Sequence, residues 1–159
     1  MSDVISVFTS KSVETIIADG GSQAWTLDRA RAARCDYLVA CRNAHGEPEG
    51  PEPHRQAFLV GKVSDIVAST ETDGRFKILI SEWAKVDWDE GWGEGRRNPV
   101  AYYKDADFCD NNGNPVDFKS LPFQKLAAAP RGLSIAEAKA ALAITFDVPV
   151  SAIEVTIRA

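Results

Sequence analysis

Three apolar runs in the middle of the chain, residues 37–43, 57–69 and 75–86, restrict its fold more than any other feature. Their β-branched and aromatic content predicts strands. Their near-continuous apolarity predicts burial on most of both faces, as in a small barrel or a sheet covered by helices. Asp73-Gly74 lies between the second and third runs. It is a hairpin signal, because glycine supplies the positive φ such a turn needs.

The flanks add elements of both kinds. Residues 4–8 read as an opening strand, and Val13, Ile16 and Ile17 fall on one helical face before a break at Asp19-Gly-Gly-Ser22. Thr26 is placed to cap a short helix over 27–34, whose Arg29, Arg31 and Arg34 make a local basic edge. Residues 100–103 read as a return to the sheet, and 105–125 as irregular, with a turn at 111–115. Ser134-Ile-Ala-Glu137 is a capping box opening a helix with Ile135, Ala138 and Leu142 in a stripe. Ile153, Val155 and Ile157 then alternate with Glu154, Thr156 and Arg158, the period of a half-buried strand. The expected fold class is α+β. It is a small mixed, mostly antiparallel β-barrel or strongly curved sheet with short flanking helices and a C-terminal helix–strand unit. Residues 1–130 are expected to form the main domain, with the unit at 131–159 packed on it.

Charge and cysteines bear on function. The formal charge of −5 argues against tight nonspecific nucleic-acid binding, which depends on neutralising phosphates, but leaves room for a pocket that reads one nucleotide. Three cysteines cannot pair evenly, no apolar run approaches the roughly 20 residues of a membrane span, and the N-terminus lacks a basic flank with an apolar stretch. Reduced thiols, a cytoplasmic location and no membrane partner are the corresponding expectations.

Residues 43–56 are rich in Pro, Gly and Glu and should cross the surface without regular structure. Residues 87–98 carry three glycines with Trp88 and Trp92. An aromatic and basic rim gathers around these connectors: Arg42, Asn43, His54, Arg55, Trp88, Trp92, Arg96 and Arg97, with Trp25, Trp83, Tyr102 and Tyr103 nearby. Arginine beside an aromatic ring suits stacking on a base, with an amide to read its edge. Trp88 and Trp92 read equally well as core anchors.

Other constellations are weaker. Cys35, Cys41, His45 and His54 are zinc-type ligands, but the two cysteines sit roughly 20 Å apart along a strand and no C-x-x-C anchors them. Asp105, Asp107, Asp110 and Asn112 fail the EF-hand spacing and read as a solvated acidic turn. A Cys41–His54 thiol–imidazole pair is conceivable, although a cysteine within an apolar strand belongs to the core more often. No metal, cofactor or catalytic residue is assigned.

The order of a short helix, Tyr37-Leu-Val-Ala-Cys-Arg42, a loop, Phe58-Leu-Val-Gly-Lys-Val-Ser-Asp-Ile-Val67 and a DG hairpin resembles the PUA-like superfamily, which includes the ASCH and EVE domains. The resemblance covers roughly residues 25–86. It implies a small mixed β-barrel and recognition of RNA or a modified base, and transfers no individual residue. The leading expectation is a non-catalytic module binding a nucleotide, modified base or short nucleic acid between the 43–56 and 87–98 loops. The alternative is a small acidic protein-interaction module, an inhibitor or adaptor such as a phage or mobile-element product. Its Glu82, Asp87, Asp89, Glu90 and Glu94 would meet a basic protein partner.

Overall fold

The computed structural model describes residues 1–127 and 134–158. The chain divides into two compact units, Met1–Ala127 and Ala128–Ala159. No described helix is long and apolar enough to cross a membrane.

The first unit is built on one mixed sheet. Its strands are β1 (Asp3–Thr9), β2 (Gly21–Trp25), β3 (Tyr37–Arg42), β4 (Ala57–Ala68), β5 (Phe76–Trp88), β6 (Val100–Lys104) and the two-residue β7 (Gln124–Lys125). The order is β2-β5-β4-β3-β1-β6, with β7 pairing β5. Only β1 and β3 run parallel; the other pairs are antiparallel. The long β4–β5 hairpin turns at the expected Asp-Gly, where Gly74 has φ 76°. Register shifts interrupt this ladder at three places, and bulges bend the strands they interrupt. The curled sheet does not close, since β2 and β6 remain its two ends.

Both faces are buried. One layer holds Ile5, Val7, Leu38, Ala40, Phe58 and Ile78, together with Val13 and Ile16 of helix α1 (Val13–Asp19). The opposite layer holds Val4, Val39, Cys41, Val60, Trp88 and Phe118, covered by the irregular segment after β6. All six residues of β3 are buried, which is why its sequence is apolar without alternation.

Several expectations need correction. Residues 21–25 are a strand rather than part of a break. Gly21 is required there because a Cβ would stand 1.9 Å from the Ile78 carbonyl oxygen on β5. The short helix α2 spans Arg29–Ala32 and is capped by Asp28, whose carboxylate accepts from the Arg31 N–H, not by Thr26. In the second unit, α3 (Ile135–Phe146) begins with the anticipated Ser134–Glu137 capping box. The strand expected over 153–158 is absent: a 3-10 turn (Val150–Ala152) leads into a segment that joins no ladder. Alternation sets up a strand face, but a strand also needs a partner for its backbone groups.

Candidate functional site

The structure distributes the sequence-designated residues very differently from one shared pocket. Arg42 is fully buried. Its Nε and Nη2 donate to Glu52 Oε2 at 3.1 and 2.7 Å, and Nη1 donates to the carbonyls of Lys11 (2.8 Å) and Thr9 (3.3 Å). The guanidinium lies 4.2 Å from the centre of the Phe58 ring. Arg42 thus directs its guanidinium at partners within the fold. Trp88 and Trp92 are only 6% and 3% exposed. Trp88 ends β5 against Phe108 and Phe118, while Trp92 stacks on Phe8 at 5.0 Å. Both indoles are packed against other rings, and Trp88 also lines a small hollow with Arg96 and Tyr103.

The two connectors close on each other. Arg55, at φ 76°, donates from Nε to the Trp92 carbonyl and pairs with Glu94 (3.1 Å) and Glu90 (2.8 Å). The Trp92 N–H donates back to the Arg55 carbonyl. Asn43 Oδ1 accepts from the His45 N–H, and His54 Nδ1 accepts from the Ala44 N–H. Burial, followed by neighbouring His45 and Arg55, holds the His54 imidazole below the usual histidine range. The acidic stretch is partly neutralised as well: Glu82 pairs with Lys62, and Glu90 and Glu94 with Arg55. Of the eight designated residues, only Arg96 and Arg97 keep exposed guanidinium groups without an ion pair among the described residues.

Cys41 is likewise enclosed by the fold. It is fully buried on β3 with Sγ 3.6 Å from Ser6 Oγ, and burial pushes its thiol up to about 12. Only the thiolate attacks, and it would need access to substrate.

A different cleft gathers the unused chemistry. It has a volume of about 520 Å³ and lies where β1, β6 and the end of α2 meet. Tyr102 and Tyr103 project to opposite faces of β6, and at the end of the sheet both reach the cleft. Tyr102 donates its hydroxyl to the Asp28 carbonyl, and Arg31 lies 4.1 Å over its ring. On the other side Arg96 lies 4.8 Å over Tyr103, facing an adjoining hollow of about 240 Å³. Arg34 lines the first cleft and makes no ion pair with the described residues. Lys104 pairs with Asp3, and this hydrogen bond holds the Asp3 carboxyl below its ordinary range. Burial raises both tyrosine hydroxyls, so they stay protonated at neutral pH.

Three cations thus face two carboxylates, Asp3 and Asp107, in a chain of net charge −5. The outer edge of β6 beside the cleft is blunted. Asn98 Oδ1 accepts from the Val100 N–H and Asp107 Oδ2 from the Lys104 N–H, which occupies donors an added strand would need. The cleft therefore offers side chains rather than backbone for recognition. Its parts were visible in the sequence as a basic edge at 29–34 and tyrosines at 102–103. No local signal links them, because their meeting depends on β1 lying between β3 and β6.

Comparison with known proteins finds no matching family model, no matching curated protein and no matching solved structure. The PUA-like resemblance accordingly rests on the sequence pattern alone.

Proposed function

We propose that the first unit is a non-catalytic binding module for a nucleotide or short single-stranded nucleic acid, held in the Tyr102–Tyr103 cleft rather than between the long connectors. One observation carries this reading: Arg34, without an ion pair among the described residues, lies beside Arg31, Lys104 and two tyrosines in a ligand-sized cleft of an acidic chain. Guanidinium groups match phosphate oxygens with two parallel donors, and aromatic faces stack on any base. A cleft of this volume falls within the range of small-ligand sites.

The test is fluorescence anisotropy with a labelled hexathymidylate and competition by a 5′-mononucleotide. Arg34→Gln is expected to weaken binding about tenfold, the equivalent of roughly 1.4 kcal/mol, without moving the melting temperature. Arg97→Gln, outside the cleft, is expected to bind as wild type. Three phosphate contacts give a slope of about −2 for log affinity against log salt concentration. Wild-type affinity weaker than 1 mM, or an unaffected Arg34→Gln variant, would count against the cleft.

A further inference from the structure

The second unit exposes an unusual amount of apolar surface. Ile144 is 83% exposed, Ile157 80%, Phe146 66% and Ile135 55%, and Leu142, Val148, Val150 and Val155 are also exposed. Among the described residues of this unit only Ala143 is buried. A segment of 32 residues is below the roughly 40 at which a chain can usually bury a core of its own. Exposed apolar patches of this kind mark interaction surfaces.

Two observations select the occupant. The first is charge. Residues 128–159 contain Arg131, Lys139 and Arg158 against Glu137, Asp147 and Glu154, so the whole formal charge of −5 resides in residues 1–127. A neutral unit has no electrostatic preference for an acidic or basic partner or for an anionic membrane. Two copies of it can approach while the acidic first units repel. The second is the sequence of the unpaired segment. Residues 153–158 keep the alternation of a strand but join no ladder. Placed antiparallel to itself about Thr156, the segment sets Glu154 opposite Arg158 twice and Val155 opposite Ile157 twice. The charged pairs then lie on one face and the apolar residues on the other. Such an arrangement is isologous: the same patch serves both copies and the assembly closes at two.

We infer that the second unit is a homodimerisation module, in which residues 154–158 of two copies pair antiparallel about Thr156 and the exposed apolar residues of α3 and its flanks cover the resulting ribbon. The strand anticipated in the sequence then forms between chains rather than within one. This inference does not rest on the nucleotide reading.

Sedimentation equilibrium of the full chain without added nucleotide tests it. The expected mass is twice the 17.3 kDa of the chain at micromolar concentrations. Ile157→Asp is expected to yield monomer. Glu154→Lys and Arg158→Glu, each of which sets like charges opposite each other, are each expected to weaken association about tenfold. Combining them is expected to restore it, since the swapped pair is again complementary. Both positions are exposed and outside α3, and an unchanged far-ultraviolet helical signal of the full chain checks that α3 persists in the variants. A wild-type monomer at 100 µM overturns the inference. So does a dimer indifferent to Ile157→Asp, or one in which the two charge changes simply add.

Discussion

Glu52→Ala separates a structural arginine from a ligand-binding one. Arg42 is fully buried, and among the described residues the only carboxylate bonded to it is that of Glu52, which receives both Nε and Nη2. The two carbonyls on Nη1 satisfy hydrogen bonds without cancelling charge. Removing one partner of a buried ion pair costs about 3–5 kcal/mol, because the survivor stays desolvated and unbalanced. The Glu52 side chain is 17% exposed, so water reaches the gap and the lower end, about 3 kcal/mol, applies. Unfolding entropy of about 2.1 cal/mol/K per residue gives the first unit about 0.27 kcal/mol/K, and the melting temperature should fall by about 11 °C. Differential scanning calorimetry measures this directly. Arg42→Met combined with Glu52→Ala removes charge and countercharge together and should be less destabilised than the sum of the two single variants. A fall under about 3 °C for Glu52→Ala, or strict additivity in the cycle, would refute the account of Arg42 as a buried, singly balanced cation.

Three further outcomes follow from the same structure. Trp88→Ala should destabilise the first unit by about 3–5 kcal/mol in urea titrations, as deletion of a buried tryptophan does; a stable variant with impaired oligonucleotide binding would return Trp88 to a ligand site. Thiol labelling at pH 8 should modify Cys109 alone in the native protein, because Cys109 is exposed while burial raises Cys35 to about 11 and Cys41 to about 12; rapid labelling of a second cysteine contradicts the core assignment. His54, held below the ordinary histidine value of 6.5, binds fewer protons folded than unfolded, so its contribution is complete above about pH 6.5 and is lost as pH falls through its lower folded value. NMR should show His54 titrating below 6.5 and faster exchange of the Ala44 amide, which donates to it, on the acid side; a midpoint above 6.5 reverses the sign.

Much of the fold was legible because its determinants are local. Val, Ile and Phe concentrated over 57–68 and 76–88 favour an extended backbone, and Asp73-Gly74 fixes where the hairpin turns. Ser134 and Glu137 satisfy each other's end of α3 within four residues. What escaped was non-local. Gly20 and Gly21 read together as a helix stop, but only Gly20 is the left-handed cap; the Ile78 carbonyl pressed against Gly21 shows why a strand with no Cβ starts there. Arg42 reads as a surface cation until Glu52, ten residues away, folds over it. Trp92 lies among glycines, where core and exposed loop are equally open from sequence, and only the distant Phe8, which supplies a ring to stack on, decides for the core.

The amino-acid order alone established an α+β chain with a sheet buried on both faces, a defined hairpin and a capped C-terminal helix, since each follows from propensities and patterns within a few residues. The tertiary structure alone decided which arginines and aromatics remain available. It set β6 beside β1 and brought Arg31, Arg34, Tyr102 and Lys104 to one cleft, while sealing Arg42, Trp88 and Trp92 inside. The physical reason is that burial and charge balance depend on partners far apart in sequence. Side chains of the same type acquire opposite roles according to which strand they meet.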